Sequence, residues 1–186
     1  MSVKNNTKKL TIIALAVAIN IVGSKISLVL SLPIFLDSIG TIMAGTVVGP
    51  IGGLATALVG GLVNGALGDI YSIYFSPSGM IMGLMAGLLF HNKKTTKLSA
   101  LWKTFLVVLP ASFVSALIET FLFGGITSAT MTTFIVQSLS HTVMNLFQSA
   151  FLTQLVTDYI DKLIAVILTF TVINMLPYNM THFEDK

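Results

Sequence analysis

Apolar residues run in long blocks along this chain, broken by short clusters of lysine, glycine and proline. The blocks predict helical spans over about 10–30, 33–49, 51–68, 78–90, 99–123 and 160–176, since ~20 apolar residues in helical form cross a bilayer core. The first ends at Ser31-Leu32-Pro33 and the second at Gly49-Pro50, because proline biases the residue before it away from helix. The third closes at Gly68-Asp69, and an outer loop over Asp69–Ser78 carries Tyr71, Tyr74, Phe75 and Pro77. Alternatively the fourth helix starts at Tyr71 with a proline break. The lysine-rich HNKKTTK separates the fourth span from the fifth, which ends at Gly124-Gly125.

Residues 131–157 are apolar enough to span, yet Gln137, His141, Asn145 and Gln148 recur at helical spacing. Such a polar stripe predicts a helical segment lying at the outer surface or re-entering over a cavity. Six spans follow; a crossing by 131–157 would make seven and put the C-terminus outside. Small residues recur every fourth position, at Gly49, Gly53, Ala57, Gly61 and Gly65 and again at Gly79, Gly83 and Gly87. That spacing predicts close packing between helix backbones.

A composition of 54% hydrophobic and 9% charged residues, with a mean hydropathy of +0.92, leaves no polar face for a soluble domain. The fold class is therefore an all-α integral membrane protein, one domain over 1–186. The opening MSVKNNTKKL is like a signal n-region, but the run behind it is too long and lacks a small-residue cleavage site, so it reads as a retained first helix. Lys4, Lys8 and Lys9 before the first span, and Lys93, Lys94, Lys97 and Lys103 between the fourth and fifth, mark the cytoplasmic side. Both termini are then cytoplasmic. These lysines serve topology; they do not form the basic surface patch that nucleic acid requires. The absence of cysteine excludes disulfides and thiolate chemistry.

Five carboxylates, Asp37, Asp69, Glu119, Asp158 and Asp161, lie in or beside apolar stretches, whereas Glu184 and Asp185 sit in a polar tail. Under the six-span topology all five fall toward the outer half, with Lys25 and Lys162. Acidic groups contribute little to orientation, and a charge kept within a membrane is costly. Each has a structural reading beside the functional one. Asp37, Asp69 and Asp158 could be helix-end residues reaching water. Glu119, surrounded by SFVSALIETFLF, could face a cavity or pair with Lys25 or His141. Lys162 could bind substrate, snorkel, or pair with Asp158 one turn earlier.

Asn64 lies at the level of Glu119 and could contact substrate or bridge helices. His141 could be a ligand or a structural histidine. Tyr71, Tyr74 and Phe75 could stack on a flat ring or anchor an interface. The candidate binding set is thus Glu119, Asn64, Lys162, Asp158, Tyr71, Tyr74 and His141. There is no phosphate-binding G-x-x-x-x-G-K-[ST] loop, no G-x-S-x-G and no H-E-x-x-H. No catalytic residue, metal site or cofactor is predicted, and the chemistry is binding, not catalysis.

In its first helix Ala14-Leu-Ala-Val-Ala18 matches an A-x-x-x-A motif, and PIFLDSIGTIMAGTVVGPIGGLATALVGGLVNGALG (33–68) carries an acidic entry, a Gly-Pro turn and a late asparagine, Asn64. With the length and span layout, these features resemble the substrate-binding S components of energy-coupling factor (ECF) vitamin transporters over nearly the whole chain. Against the riboflavin-binding members Lys162 matches, while Glu119 and Tyr159 depart from the pattern. The resemblance implies six helices, an outer pocket, and a lid around Ser31–Leu36. It further implies docking through Ala14 and Ala18 onto a transmembrane coupling subunit served by two ATP-binding subunits, in the plasma membrane of a bacterium.

The absence of arginine and the set Glu119, Asn64, Asp158 and Lys162 suit a neutral or weakly basic heterocycle of the hydroxymethylpyrimidine or pyridoxine class. Pantothenate is the alternative vitamin, with Lys25 or Lys162 on its carboxylate. Two readings from other classes remain open at this point: a self-contained secondary transporter using Glu119 as proton relay, and a non-transport membrane module.

Overall fold

The computed structural model describes residues 3–32, 34–141 and 144–175. Within them lie seven helices and no strand: α1 (Val3–Val29), α2 (Ile39–Val48), α3 (Pro50–Ala66), α4 (Ile70–Phe90), α5 (Lys97–Phe123), α6 (Thr130–Ser140) and α7 (Leu146–Met175). Three of these contain stretches long and apolar enough to cross a membrane: Asn5–Val29, Ile70–Phe90 and Lys97–Phe123. Pro33, Leu176, Pro177, Glu184 and Asp185 lie outside the described residues.

Local chemistry sets the boundaries. Gly49 has φ of 106°, a conformation that glycine adopts freely, and Pro50 begins α3 at the position where its missing N–H costs nothing. Thr96 caps α5 in a reciprocal pair with Ser99, and left-handed Gly124 ends that helix.

Three predicted boundaries are displaced. The second helix starts at Ile39 and not near residue 33, because residues 34–38 are non-helical, with Leu36 at φ of 52°. The segment Asp69–Ser78 is helix from Ile70 onward, not loop, with Pro77 inside α4. Its first turns are held by aromatic packing on α5, where Tyr71, Tyr74 and Phe75 all meet Phe123 with ring centroids at 4.7, 5.3 and 6.1 Å.

The third displacement is the largest. Gln137, His141, Asn145 and Gln148 do not share one helix face, since the chain breaks among them. His141 is the C-cap of α6, and Gln137 donates from Nε2 to the carbonyl of Gly124 at 2.9 Å. Asn145 accepts from the Gln148 N–H at 2.8 Å while Gln148 Oε1 accepts from the Asn145 N–H at 3.3 Å, a reciprocal cap that starts α7. Polar residues spaced like a helical stripe are here the caps of two helices and, at Gln137, a bridge to the end of α5. Of residues 160–176, read as a separate span, those up to Met175 are the second half of the continuous helix α7.

Polarity runs inside out. Thr41, Thr56, Thr104, Ser112, Glu119 and Asp161 are fully buried, whereas Leu15, Val22, Trp102, Phe121 and Ile167 are exposed. A hydrocarbon surround accepts that outer surface, and the buried polar groups then need internal partners. Asn20 of α1 supplies one such link, donating to Thr41 Oγ1 at 2.8 Å and accepting from the Gly40 N–H at 2.7 Å. This satisfies a free N–H in the first turn of α2. An apolar cluster of Ile42, Met82, Ala86, Phe90, Val107, Ala111, Ala165 and Val166 joins α2, α4, α5 and α7.

The two small-residue rows face each other. A methyl group added at Gly83 would overlap the backbone of Gly53, and one at Gly87 would overlap Pro50. Dispersion between closely approached backbones holds this α3–α4 pair. At Gly79 the nearest atom to an added Cβ is the Ala57 methyl, at 3.3 Å. Gly83→Ala is therefore expected to destabilise the protein by about 1–3 kcal/mol, the usual cost of overpacking, and Gly79→Ala by clearly less. Thermal unfolding of both variants in detergent checks the order; equal midpoints would contradict this account of the helix pair.

Candidate functional site

A cavity lies between α1, α3, α4, α5, α7 and the 34–38 loop. Its wall is polar on the α1 and α7 sides and aromatic where Phe35, Tyr71 and Phe75 contribute. Helical periodicity produces the α7 side. Ala150, Gln154, Asp158, Lys162 and Ala165 are all buried, and positions three or four apart lie on one helix face. Three polar groups in the middle of that stripe thus point inward together.

Lys162 is the centre of an ion cluster. Its Nζ donates to Asp161 Oδ2 at 2.7 Å and to Asp158 Oδ1 at 3.2 Å, and lies 3.8 Å from Asp37 Oδ1. Asp158 also accepts from Ser112 Oγ of α5 at 2.7 Å. Asp161, wholly buried, accepts from the Leu36 N–H at 3.1 Å. The 34–38 loop is thereby tied to α7 through both an acid and the lysine. Phe35 adds its ring face, 6.0 Å from Lys162 Nζ. On the α1 side, Ser27 Oγ donates to the Ile34 carbonyl, and the Leu36 carbonyl rests against Gly23 so closely that a Cβ there would overlap it. Leu36 holds a left-handed backbone that non-glycine residues rarely adopt, and these contacts keep it there.

The remaining polar groups form short links. Ser24 Oγ donates to Asn64 Oδ1 at 3.2 Å, joining α1 to α3. Ser115 Oγ donates to Ser78 Oγ at 2.7 Å, and Ser78 Oγ donates to the Ala111 carbonyl at 2.8 Å, joining α5 to α4. Gln154 Nε2 donates to Glu119 Oε2 at 2.8 Å, while Glu119 Oε1 is buried without a hydrogen-bond partner among the described residues.

Of the candidates drawn from the sequence, Asn64, Asp158, Lys162 and Tyr71 line the cavity. Glu119 stands behind the wall, fully buried and joined to it through Gln154; its hydrogen-bond partner is that amide, not Lys25 or His141. Tyr74 packs edge-on against Phe123 and is 48% exposed, and His141 caps α6 at the surface; neither lines the cavity. Ala14 and Ala18 are exposed on α1, on the face away from buried Ala16, Val17 and Asn20.

Sequence reasoning passed over Gln154, Asn20 and the hydroxyls of Ser24, Ser78, Ser112 and Ser115. For Gln154 a signal existed: it precedes Asp158 by one helical turn, as Asp158 precedes Lys162. The serines carried none, since hydroxyls are common on any helix. Among the described residues no group of three or more histidines and carboxylates is arranged to hold a metal ion. The three carboxylates that do converge are occupied by Lys162. The arrangement offers hydrogen-bond donors and acceptors, charge and aromatic faces, which is the equipment for binding a small molecule.

A family model described as "ECF transporter, substrate-specific component" matches residues 8–173. Comparison with curated proteins and with solved structures finds no match.

Removing one member of a buried ion cluster leaves the others uncompensated, at a cost of about 3–5 kcal/mol. Lys162→Met is expected to lose stability on that scale, since Asp158 and Asp161 are themselves buried. Asp37→Asn is expected to cost under about 1 kcal/mol, because the Asp37 side chain is 45% exposed. Chemical or thermal unfolding in detergent tests the contrast, and similar losses for both variants would remove Lys162 as the organising charge.

Proposed function

This chain belongs to the family of ECF transporter substrate-specific components, and from that membership we propose that it captures a small heterocyclic vitamin or vitamin precursor. The members of this family are membrane transport subunits and not enzymes. The proposed substrate is of the hydroxymethylpyrimidine or pyridoxine class, bound at the outer face and imported at the expense of ATP hydrolysed by partner subunits. The observation that carries the reading is the cavity itself, where the amides of Asn64 and Gln154 and the carboxylate of Asp158 meet the rings of Tyr71 and Phe75. Flat faces and convergent polar groups suit a flat, polar ring.

In this reading six segments span the plasma membrane of a bacterium with both termini cytoplasmic, and the 34–38 loop closes the pocket from outside. Asn64, Asp158 and Tyr71 contact the substrate directly, with Gln154 added to them. Glu119 acts on the substrate through Gln154, which it holds. The pantothenate alternative loses support, because Lys162 is already engaged by three carboxylates within 4 Å and Lys25 is not among the residues lining the cavity. A proton relay through Glu119 also has less support, since its carboxylate is fully buried behind Gln154.

The partners are a transmembrane coupling subunit and two ATP-binding subunits, with Ala14 and Ala18 as the docking face on α1. A close helix–helix contact tolerates little beyond a methyl group. Native mass spectrometry of the purified chain is expected to reveal one bound small molecule. Ala14→Leu or Ala18→Leu is expected to leave that binding intact while reducing copurification of the coupling subunit and uptake. Substrate uptake by the reconstituted chain alone, driven by an ion gradient without ATP, would instead establish a self-contained carrier.

A further inference from the structure

The charge balance of the cavity restricts its ligand further, granted that the cavity binds a small molecule as proposed above. Three carboxylates line it, those of Asp37, Asp69 and Asp158, against one ammonium, that of Lys162. A fourth carboxylate, Asp161, stands directly behind that ammonium at 2.7 Å. Lys162 spends its hydrogen bonds on Asp158 and Asp161. It has no charge left over for a ligand anion. A carboxylate or phosphate entering here would meet an excess of like charge.

Unspent hydrogen-bonding capacity accompanies that imbalance. Asp69 Oδ2 accepts from Ser72 Oγ at 2.7 Å, but Asp69 Oδ1 is buried with no partner among the described residues. Asn64 is 4% exposed and Gln154 2% exposed, and both line the cavity. Asn64 uses its oxygen on Ser24 and Gln154 its nitrogen on Glu119. The Asn64 amide nitrogen and the Gln154 amide oxygen therefore make no hydrogen bond to the described residues. Of the cavity-lining side chains, it is Asp69 whose Oδ1 is buried without a partner among the described residues, and such atoms are costly and are rarely retained to no purpose. Tyr71, adjacent in sequence to the Asp69 turn, and Phe75 supply aromatic faces beside them, and such faces attract cations as well as flat rings.

We propose that the ligand of this cavity is a cation: a flat nitrogen heterocycle bearing a protonated or permanently charged nitrogen, with Asp69 as its carboxylate partner. The Asn64 N–H and the Gln154 oxygen then serve one acceptor and one donor on the same ring. Phosphorylated or carboxylated relatives of that ring are excluded by the same charge.

The test uses the full chain purified in detergent, with binding followed by calorimetry. Four probes separate charge from ring shape: thiamine, a permanent cation; pyridoxamine, which carries an ammonium; pyridoxine, which has a hydroxymethyl in that place; and 4-pyridoxic acid, which has a carboxylate. Native mass spectrometry of the same preparation identifies any small molecule already bound. The expected result is that thiamine or pyridoxamine binds at least about ten-fold more tightly than pyridoxine, that 4-pyridoxic acid does not bind, and that any copurifying molecule is a cation.

Asp69→Asn is expected to weaken the cationic probe by about ten-fold or more, consistent with a charge-assisted hydrogen bond, without lowering the unliganded thermal midpoint appreciably. Equal or tighter binding of pyridoxine or 4-pyridoxic acid, or an anionic or neutral copurifying molecule, overturns the cation assignment and leaves the vitamin-binding reading standing. Unchanged affinity in a folded Asp69→Asn variant overturns the role of Asp69. No bound molecule and no binding of any probe overturns both readings together.

Discussion

Lys162 is a buried ammonium among three carboxylates, and the cavity end of the molecule is arranged around that one group. Two of the acids, Asp158 and Asp161, come from its own helix, and the third, Asp37, comes from the loop between α1 and α2. Buried charges are tolerable only when paired and hydrogen-bonded, so each member fixes the others. Asp158 draws in Ser112 from α5, and Asp161 draws in the backbone of Leu36. One constraint thus joins α7, α5 and the loop over the cavity.

The same constraint explains why the cavity is a specific place and not a general void. Opposite the ion cluster, α3 and α4 pack through glycines at van der Waals distance, which leaves no freedom to fill space by small shifts. Asn20, Ser24 and Ser27 line the cavity on the α1 side, in contact with α2, α3 and the loop respectively. The cavity lies between a wall made rigid by close packing and a wall made rigid by charge. The 34–38 loop borders it on non-helical backbone, as do Thr127 and Ser128 between α5 and α6, and a few identifiable contacts hold the 34–38 loop.

Charge also changes what Lys162 contributes to recognition. A lone lysine in an apolar helix suggests an anion-binding group. Surrounded by carboxylates, it becomes a counter-ion that lets several acids stand near one another. The acids, with the amides of Asn64 and Gln154, then carry the recognition in the readings developed above. Glu119 is similarly displaced from the role its isolation suggested, since its described hydrogen bond is to Gln154.

The membrane class and the helical fold were legible in the sequence, because hydropathy and helix length are summed over many residues and survive local error. Membership of the family was legible too, through the alanine pair, the Gly-Pro turn and Asn64. Close packing of helix backbones followed from the four-residue spacing of the glycines, for only small side chains permit that approach, while the structure showed that the two rows meet each other. What spacing could not supply was which element a polar residue meets. Gln137, His141, Asn145 and Gln148 had the period of one helix face and are the capping and bridging groups around a break between two helices. Tyr74 and His141 fall outside the cavity lining, and Asp37 reaches Lys162 across 125 residues of sequence. Sequence by itself determined that costly charges are kept in an apolar chain. The tertiary structure alone decided how they are partnered, because the pairing of buried charges depends on distances of a few ångströms between segments remote in the chain.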